Sequence, residues 1–410
     1  GCQMNKLDAE LVLSALQAAG YEQAASPKEA DVVLFCTCAV REHAEDRVYS
    51  NVGALKKLKA RRPSMVLGLL GCIAQKDGRD VLRRAPHLDI VCGTRAFPRI
   101  AEFVAAARRG EGPIVATSED AIEMPERRAA ARTCRSHAYV SVLRGCDNFC
   151  SYCIVPYVRG REESRPIGEV VEEVRRLVDD GVREVTLLGQ NVNAYGRKSE
   201  PRTTLAELLA AVDAVPGLAR TRFITSHPRY VTPELLRAVR HLRTVCESLH
   251  MPAQSGNDRV LRDMRRGYTA QQYRDLLALA REIVPGIAVA SDFIVGFPGE
   301  TDQEFQDTAG LVREARFQNC FVFKYSPRPG TRAARMPDDV APAEKKRRNI
   351  ELLAVQERIS AEAHQAMIGR VEEVLVEGQR YSRPEFEALQ SLAKRTGRSV
   401  TQLRYLLGED

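Results

Sequence analysis

The chain has no apolar run long enough to cross a membrane, no signal-peptide pattern at its start, no internal sequence repeat and no second CxxC pair. The first absence argues against membrane-spanning helices, the second against a secretory route, and the third sets aside repeat arrays. The fourth counts against structural zinc, which usually takes four protein ligands as two paired half-sites. A strong charge imbalance is missing too: 61 Lys and Arg stand against 54 Asp and Glu, a net +7 that permits a polyanionic partner without demanding one. Residue 1 falls inside a motif, so further residues are expected ahead of it. What is present is length and cysteine. The 410 residues favour two or three domains. The 11 cysteines are an odd number in a chain without a secretory pattern, so metal binding or catalysis is expected of them rather than a disulfide framework.

Hydrophobic periodicity divides the chain. Residues 5–19 read as an amphipathic helix, 31–35 as a buried strand, 41–62 as one long charged helix and 64–70 as a second buried strand. A helix, a weaker strand at 88–91 and a helix at 97–108 follow. Alternating strand and helix implies a parallel sheet covered by helices, here an open, flavodoxin-like sheet over 1–118. Residues 119–136 are polar and charged and read as a linker. From residue 138 the alternation resumes, with strands at 139–143, 184–188, 222–225, 245–249, 288–293 and 320–324. Helices fall at 169–180, 205–215, 270–283 and 302–315. Six units over 137–367 suggest a partial (β/α)6 barrel, not a closed one of eight. A charged helix at 342–367, a strand at 369–377 and two short helices over 384–407 complete the reading.

The first chemistry-bearing motif is Cys146-Asp147-Asn148-Phe149-Cys150-Ser151-Tyr152-Cys153, a CxxxCxxC loop at the carboxyl end of the first barrel strand, where barrel active sites are built. Three thiolates on one tight loop can hold three irons of a cubane cluster and leave the fourth iron open to a substrate or cofactor. Zinc and a chance group of core cysteines are the competing readings. With this placement the motif resembles the radical S-adenosylmethionine (SAM) superfamily. That resemblance implies that SAM chelates the open iron and that one electron from the cluster cleaves it to a 5′-deoxyadenosyl radical. It also implies a place beside the cofactor for Tyr152, for which a plain core aromatic is the other reading.

Cys2, Cys38 and Cys72 are dispersed. Cys38 and Cys72 each follow a strand of an open parallel sheet, and such strand ends share the crevice where ligands bind; Cys2 joins them if a strand precedes residue 1. Gly1-Cys2-Gln3-Met4-Asn5, Thr37-Cys38-Ala39-Val40-Arg41-Glu42 and Gly71-Cys72-Ile73-Ala74-Gln75 resemble the amino-terminal domain of methylthiotransferases. In that family the three cysteines hold a second four-iron four-sulfur cluster. The segments 151–160, 188–196 and 225–228 narrow the resemblance to the MiaB-type tRNA methylthiotransferases. This implies two 4Fe-4S clusters, SAM as cofactor, and addition of a methylthio group to C2 of N6-isopentenyladenosine 3′ of the anticodon. Threonylcarbamoyl-adenosine tRNA, a ribosomal protein, or a non-catalytic iron–sulfur RNA-binding role are the alternatives.

Other residues carry two readings each. Gln190, Asn191 and Asn193 follow the second barrel strand and either contact the cofactor or shape a turn. Asp292 opens a DFIVGFPGE stretch that the resemblance puts beside the cofactor's adenine. His227 and His250 end the third and fourth barrel strands, where a structural role is at least as good as a catalytic one. Cys36 stands where relatives usually carry Asn, and Cys38 is preferred as the ligand. Cys92, Cys134, Cys246 and Cys320 match no ligand motif. Basic runs at 56–62, 265–266 and 345–348 are solvated faces singly and phosphate contacts collectively. The family implies a tRNA anticodon arm as partner, a flavodoxin or ferredoxin as electron donor, a cytoplasmic site of action and a monomer without membrane contact. It also implies a carboxy-terminal TRAM β-barrel, of which 368–410 retains a truncated TRAM-like β segment and a divergent tail.

Overall fold

The computed structural model describes residues 2–39, 42–117, 132, 134–371 and 373–375, without the side chains of 42–44. Most of the 119–136 linker and the tail from 376 onward lie outside the described residues. Of the expected strand at 369–377, residues 369–371 and 373–375 are described and are not in a strand, and the other three lie outside the described residues.

The first sheet is parallel, in the order β1 (Val32–Thr37), β2 (Val66–Gly71), β3 (Ile90–Cys92) and β4 (Ile114–Ala116). Every residue of β2 is buried, as expected of a strand covered on both faces. Helix Gln3–Ala18 and helix Ile100–Arg108 cover one face, with Val12, Leu16, Ile100 and Val104 in a shared core. The other face packs Leu67, Leu69 and Ile73 with Val52 and Val81. Two differences from the sequence reading stand out. The helix expected over 41–62 is two, Glu42–Ala54 and Lys56–Arg61, separated at Leu55, whose N–H bonds Val52 three residues back. Gly53, a weak helix former, sits at this break. β4 escaped the sequence reading because three residues give no period to detect.

The second domain has two parallel three-stranded sheets set edge to edge, one of β5 (His137–Ser141), β8 (Glu184–Leu188) and β9 (Arg220–Ile224), the other of β10 (Ser248–His250), β11 (Ala288–Val295) and β12 (Asn319–Lys324). β9 and β10 are joined by single bonds, Thr221 N–H to Thr244 O at 2.7 Å and Ser226 N–H to His250 O at 2.9 Å. The strand expected from 245 begins only at Ser248, because the Ser248 N–H turns back onto Cys246 O at 2.7 Å and interrupts the ladder. Helix Ile167–Asp179 shows why these segments fold as they do: Val170, Val171, Val174, Leu177 and Val178 form one apolar stripe, and all are buried. Capping boxes at Thr204/Glu207, Thr269/Gln272 and Thr301/Glu304 start three of the covering helices. A short antiparallel pair, β6 (Leu143–Arg144) with β7 (Glu163–Ser164), closes the loop between them. That loop carries Cys146, Cys150 and Cys153.

The two domains meet at the barrel mouth. Met4, Leu7 and Leu11 of the first helix pack on Leu188 of β8, with Cys2, Tyr139 and Ile224 at the edge of this cluster.

Candidate functional site

The loop between β6 and β7 is shaped by its backbone. Gly145 takes φ +74, and a Cβ there would lie 2.0 Å from Arg161 O, so only glycine fits. Phe149 also adopts a positive φ of 45°. The Cys146 N–H bonds Gly160 O at 3.2 Å, the Gly145 N–H bonds Gln190 Oε1 at 2.6 Å, and the Asp147 N–H bonds Glu162 Oε1 at 3.2 Å. So held, the three thiols sit together: Cys153 feels both Cys150 and Cys146, and burial followed by that mutual repulsion pushes it up to about 12. Cys146 is likewise pushed up to about 12, by burial and then by Cys150 and Glu162. The buried Arg266 reaches in and donates from Nη1 to Cys150 Sγ at 3.4 Å while Nη2 donates to Pro252 O at 2.8 Å.

The dispersed trio also converges. Cys38 follows β1 and Cys72 follows β2, in the register that pairs Thr37 with Gly71, so the two strands end side by side. Cys2 precedes the first helix and lies in hydrogen-bonding contact with Cys38, which with burial raises its pKa. Cys72 feels Cys38 as well, and burial raises it. A second buried arginine serves this trio: Arg159 donates from Nε to Cys72 Sγ at 3.2 Å and pairs with Asp8. Cys36 lies within β1, close enough to the Asp8–Arg159 pair to feel both charges. It packs against the Val12–Phe97 core, near Cys92, and burial pushes both thiols up to about 12. Cys134 contacts Ser136, Cys246 is half-buried and Cys320 is buried.

Beside Cys153 lies a cavity of about 670 Å³ that reaches Ala39 of the first domain. Its lining includes Ala39, next to Cys38, together with Cys153, Tyr152, Gln254, Asp292 and Tyr325. Buried polar atoms without partners face this region: Gln254 Oε1 and Tyr325 OH line the cavity itself. Such atoms call for a polar ligand. Tyr152 packs beside Val260, Met264 and Phe297 at the cavity wall. Gln190 and Asn191 are brought to the cysteine loop instead; Asn191 Nδ2 donates to Glu162 Oε1 at 3.1 Å, and its Oδ1 is buried without a partner. Asn193 joins β8 to β9 by exchanging hydrogen bonds of 2.9 Å with the His227 backbone. Burial, then Arg266 and Arg229, hold His227 down to about 2, so it is a neutral ring. His250 instead orients Asp292, at 3.1 Å.

Asp8, Glu162 and Gln254 are site residues that sequence reasoning missed; Arg159 stood in the 151–160 segment without a role, and Arg266, read as part of a solvated or phosphate-contacting basic run, is buried against Cys150 instead. Arg159 is defined by a partner distant in the chain, Asp8, 151 positions away. Among the described residues no group of three or more His, Cys, Asp or Glu could hold a single metal ion. Three thiols, two of them buried, beside one buried guanidinium nevertheless suit an anionic iron–sulfur cluster, whose irons take one thiolate each. The unpartnered polar atoms beside Cys153 suit a polar cofactor reaching an open iron.

Comparison with known proteins agrees with this chemistry. Residues 140–312 match the family described as the Radical SAM superfamily, and residues 1–93 match Uncharacterized protein family UPF0004. A tRNA-2-methylthio-N(6)-dimethylallyladenosine synthase from Syntrophotalea carbinolica is 46% identical over 92% of this chain and 87% of its own length. A protein of the same name from Moorella thermoacetica is 46% identical over 94% of this chain and 87% of its own. Among solved structures, the radical SAM methyltransferase TsrM from Kitasatospora setae superposes with a TM-score of 0.58 at 14% identity, covering 80% of this chain and 74% of that one. At that identity the likeness is one of fold.

Proposed function

The chain belongs to the tRNA methylthiotransferases of the radical SAM superfamily, and from that membership we propose how its own residues divide the work. It is an iron–sulfur, SAM-dependent enzyme that adds a methylthio group to C2 of N6-isopentenyladenosine in tRNA. In the proposed division, Cys146, Cys150 and Cys153 hold one 4Fe-4S cluster and Cys2, Cys38 and Cys72 a second. When bound, the first supplies the electron that cleaves SAM, and the second supplies the sulfur to be methylated and transferred.

The chain's residues bind, orient and shield. Asp292, fixed by His250, receives polar groups of SAM, and Tyr152 closes the cavity wall behind it. Gln190 and Asn191 act one step back, holding the loop that presents the three cysteines. Arg266 and Arg159 compensate the negative charge at each trio and keep water from the sulfurs. The target adenosine, 3′ of the anticodon, must leave its stack to enter the cavity. Residues 1–118 and 137–367 act as the two cluster-bearing domains. A flavodoxin- or ferredoxin-type donor, action in the cytoplasm and a monomeric state complete the proposal; among the described residues no helix is long and apolar enough to cross a membrane.

The observation that carries this reading is a cavity whose lining includes both Ala39, the neighbour of Cys38, and Cys153. Its test is mass spectrometry of tRNA nucleosides from a strain lacking the modification, with and without this chain. The 2-methylthio nucleoside should appear only with the chain and vanish when any of the six cysteines becomes Ala. Accumulation of unmodified isopentenyladenosine in both strains would overturn it.

A further inference from the structure

The segment after Cys153 does not stay within its own domain. Ile154 and Val158 pack in the core of the first domain beside Cys72 and Ile73, and the Thr94 hydroxyl donates to Val158 O at 3.1 Å. Helix Val155–Arg159 ends in a guanidinium whose three nitrogens each donate to a residue of the first domain. Nη1 and Nη2 donate to the two Asp8 carboxylate oxygens at 3.2 and 2.5 Å, and Nε donates to Cys72 Sγ at 3.2 Å. The side chains of Arg159 and Asp8 are 5% and 3% exposed. Burying an ion pair is rarely a net gain for stability, so this one calls for another use. A guanidinium clamped on a carboxylate through both Nη atoms presents its Nε–H in a fixed direction, which a lysine cannot do.

We propose that Arg159 is a positioning residue for the first cysteine trio: held by Asp8, it aims one N–H at the Cys72 sulfur and so raises the reduction potential of the cluster that trio carries. The proposal rests on the reading that Cys2, Cys38 and Cys72 hold a cluster. A hydrogen bond to a ligating sulfur withdraws electron density from it, and the reduced cluster, which is more anionic, gains more from that bond than the oxidised one. The Asp8 carboxylate acts in the opposite sense on the same cluster. The two halves of one ion pair therefore carry opposite signs on one measurable quantity, which packing alone would not produce. The arrangement also means that a residue of the segment following Cys153 sets the electronic state of the other trio.

The test uses the full chain with Cys146, Cys150 and Cys153 changed to Ala, reconstituted anaerobically with iron and sulfide so that a single cluster remains. Its midpoint potential is read by electron paramagnetic resonance during a mediated redox titration. Arg159→Gln should lower the potential by roughly a tenfold change in the reduction equilibrium, about 59 mV for one electron. Arg159→Lys should fall between this variant and the parent, and Asp8→Asn, which keeps an oxygen acceptor for the guanidinium but removes the negative charge, should shift the potential upward. A cluster of full iron content whose potential ignores Arg159→Gln, or shifts of the same sign in Arg159→Gln and Asp8→Asn, would overturn the proposal. If Arg159→Gln takes up no iron, the signs in Arg159→Lys and Asp8→Asn decide: opposite shifts support the proposal and equal potentials end it. A parent that takes up no iron at all sinks the reading of the trio, and the proposal with it, which is distinguishable from a cluster indifferent to its arginine.

Discussion

His250 on β10 donates its Nε2–H to Asp292 on β11 at 3.1 Å, and it can do so because its other ring nitrogen accepts the Thr225 N–H at 3.2 Å. That second bond fixes the tautomer, so Asp292 is held as an oriented acceptor at the cavity wall. A hydrogen bond to a charged group contributes about 1.5–3 kcal/mol. Asp292→Asn is therefore expected to weaken SAM binding roughly tenfold or more, and His250→Phe to weaken it less, by loss of orientation alone. Anaerobic equilibrium binding of SAM to the reconstituted protein measures both. Unchanged affinity in Asp292→Asn would remove this carboxylate from the cofactor's contacts.

Cys36 and Cys38 are two residues apart, yet it is Cys38 that contacts Cys2 and lies beside Cys72. Cys36 belongs to β1 and packs in the core near Cys92, within reach of Asp8 and Arg159, whereas Cys38 lies past the strand. Cys38→Ala should cost the first cluster, about half of the iron bound after reconstitution, given four irons per cluster. Cys36→Ala should leave iron content at the parent value and cost only packing, on the order of 1 kcal/mol for the atoms removed. Iron and sulfide assays on the two variants give the answer, and equal losses in both would mean that the ligand is not uniquely Cys38.

Much of this could be read in the sequence because it depends on local pattern. The helices Ala270–Ile283 and Asp302–Ala315 follow apolar periods and begin at Thr caps, so even their ends were legible. The barrel strands were legible as apolar runs, and so was the meeting of Cys38 with Cys72, because parallel neighbours end together. What stayed hidden depends on partners far along the chain. Nothing in residues 155–160 announces that Arg159 reaches Asp8, nor in 265–268 that Arg266 reaches Cys150. The interruption at Cys246 was hidden for the opposite reason: a backbone turn of three residues leaves no trace in hydrophobic period.

Gly145 is the point at which the cysteine loop is most easily broken. Its φ of +74 disfavours any L side chain, and an added Cβ would meet Gly160 O at 2.5 Å and Arg161 O at 2.0 Å, backbone atoms that cannot swing aside. Gly145→Ala must therefore push the chain away from Gly160, breaking the Cys146 N–H bond that sets the first thiol. The expected result is loss of about half of the reconstituted iron, four of a possible eight, with far-ultraviolet circular dichroism unchanged. Gly181→Ala, also at positive φ but with nothing within 4 Å of its Cβ, is the control that carries backbone strain without touching the loop. Equal iron in the two variants would show that the loop tolerates the displacement.

Acid should expose a different part of the fold. Glu304 caps helix Asp302–Ala315, accepting the Thr301 N–H at 2.8 Å, and Arg259 holds it through Nη2 at 2.6 Å and through Nε. Chiefly through the Arg259 hydrogen bonds, its carboxyl is held down to about 2, against an ordinary value of 4.5. The sign follows directly. A carboxylate whose pKa is depressed in the folded state contributes stability that is complete above its unfolded value and is lost as pH falls through the folded one. The window is thus about pH 4.5 down to about 2, and solvent screening at this partly open position keeps the effect modest. Glu304→Gln is expected to be less stable than the parent at pH 7 and to close that gap as pH falls through the window. Urea unfolding at pH 7, 4 and 3 measures the difference; a gap that stays constant across the three would mean that the charge on Glu304 contributes nothing and that its hydrogen bonds alone do.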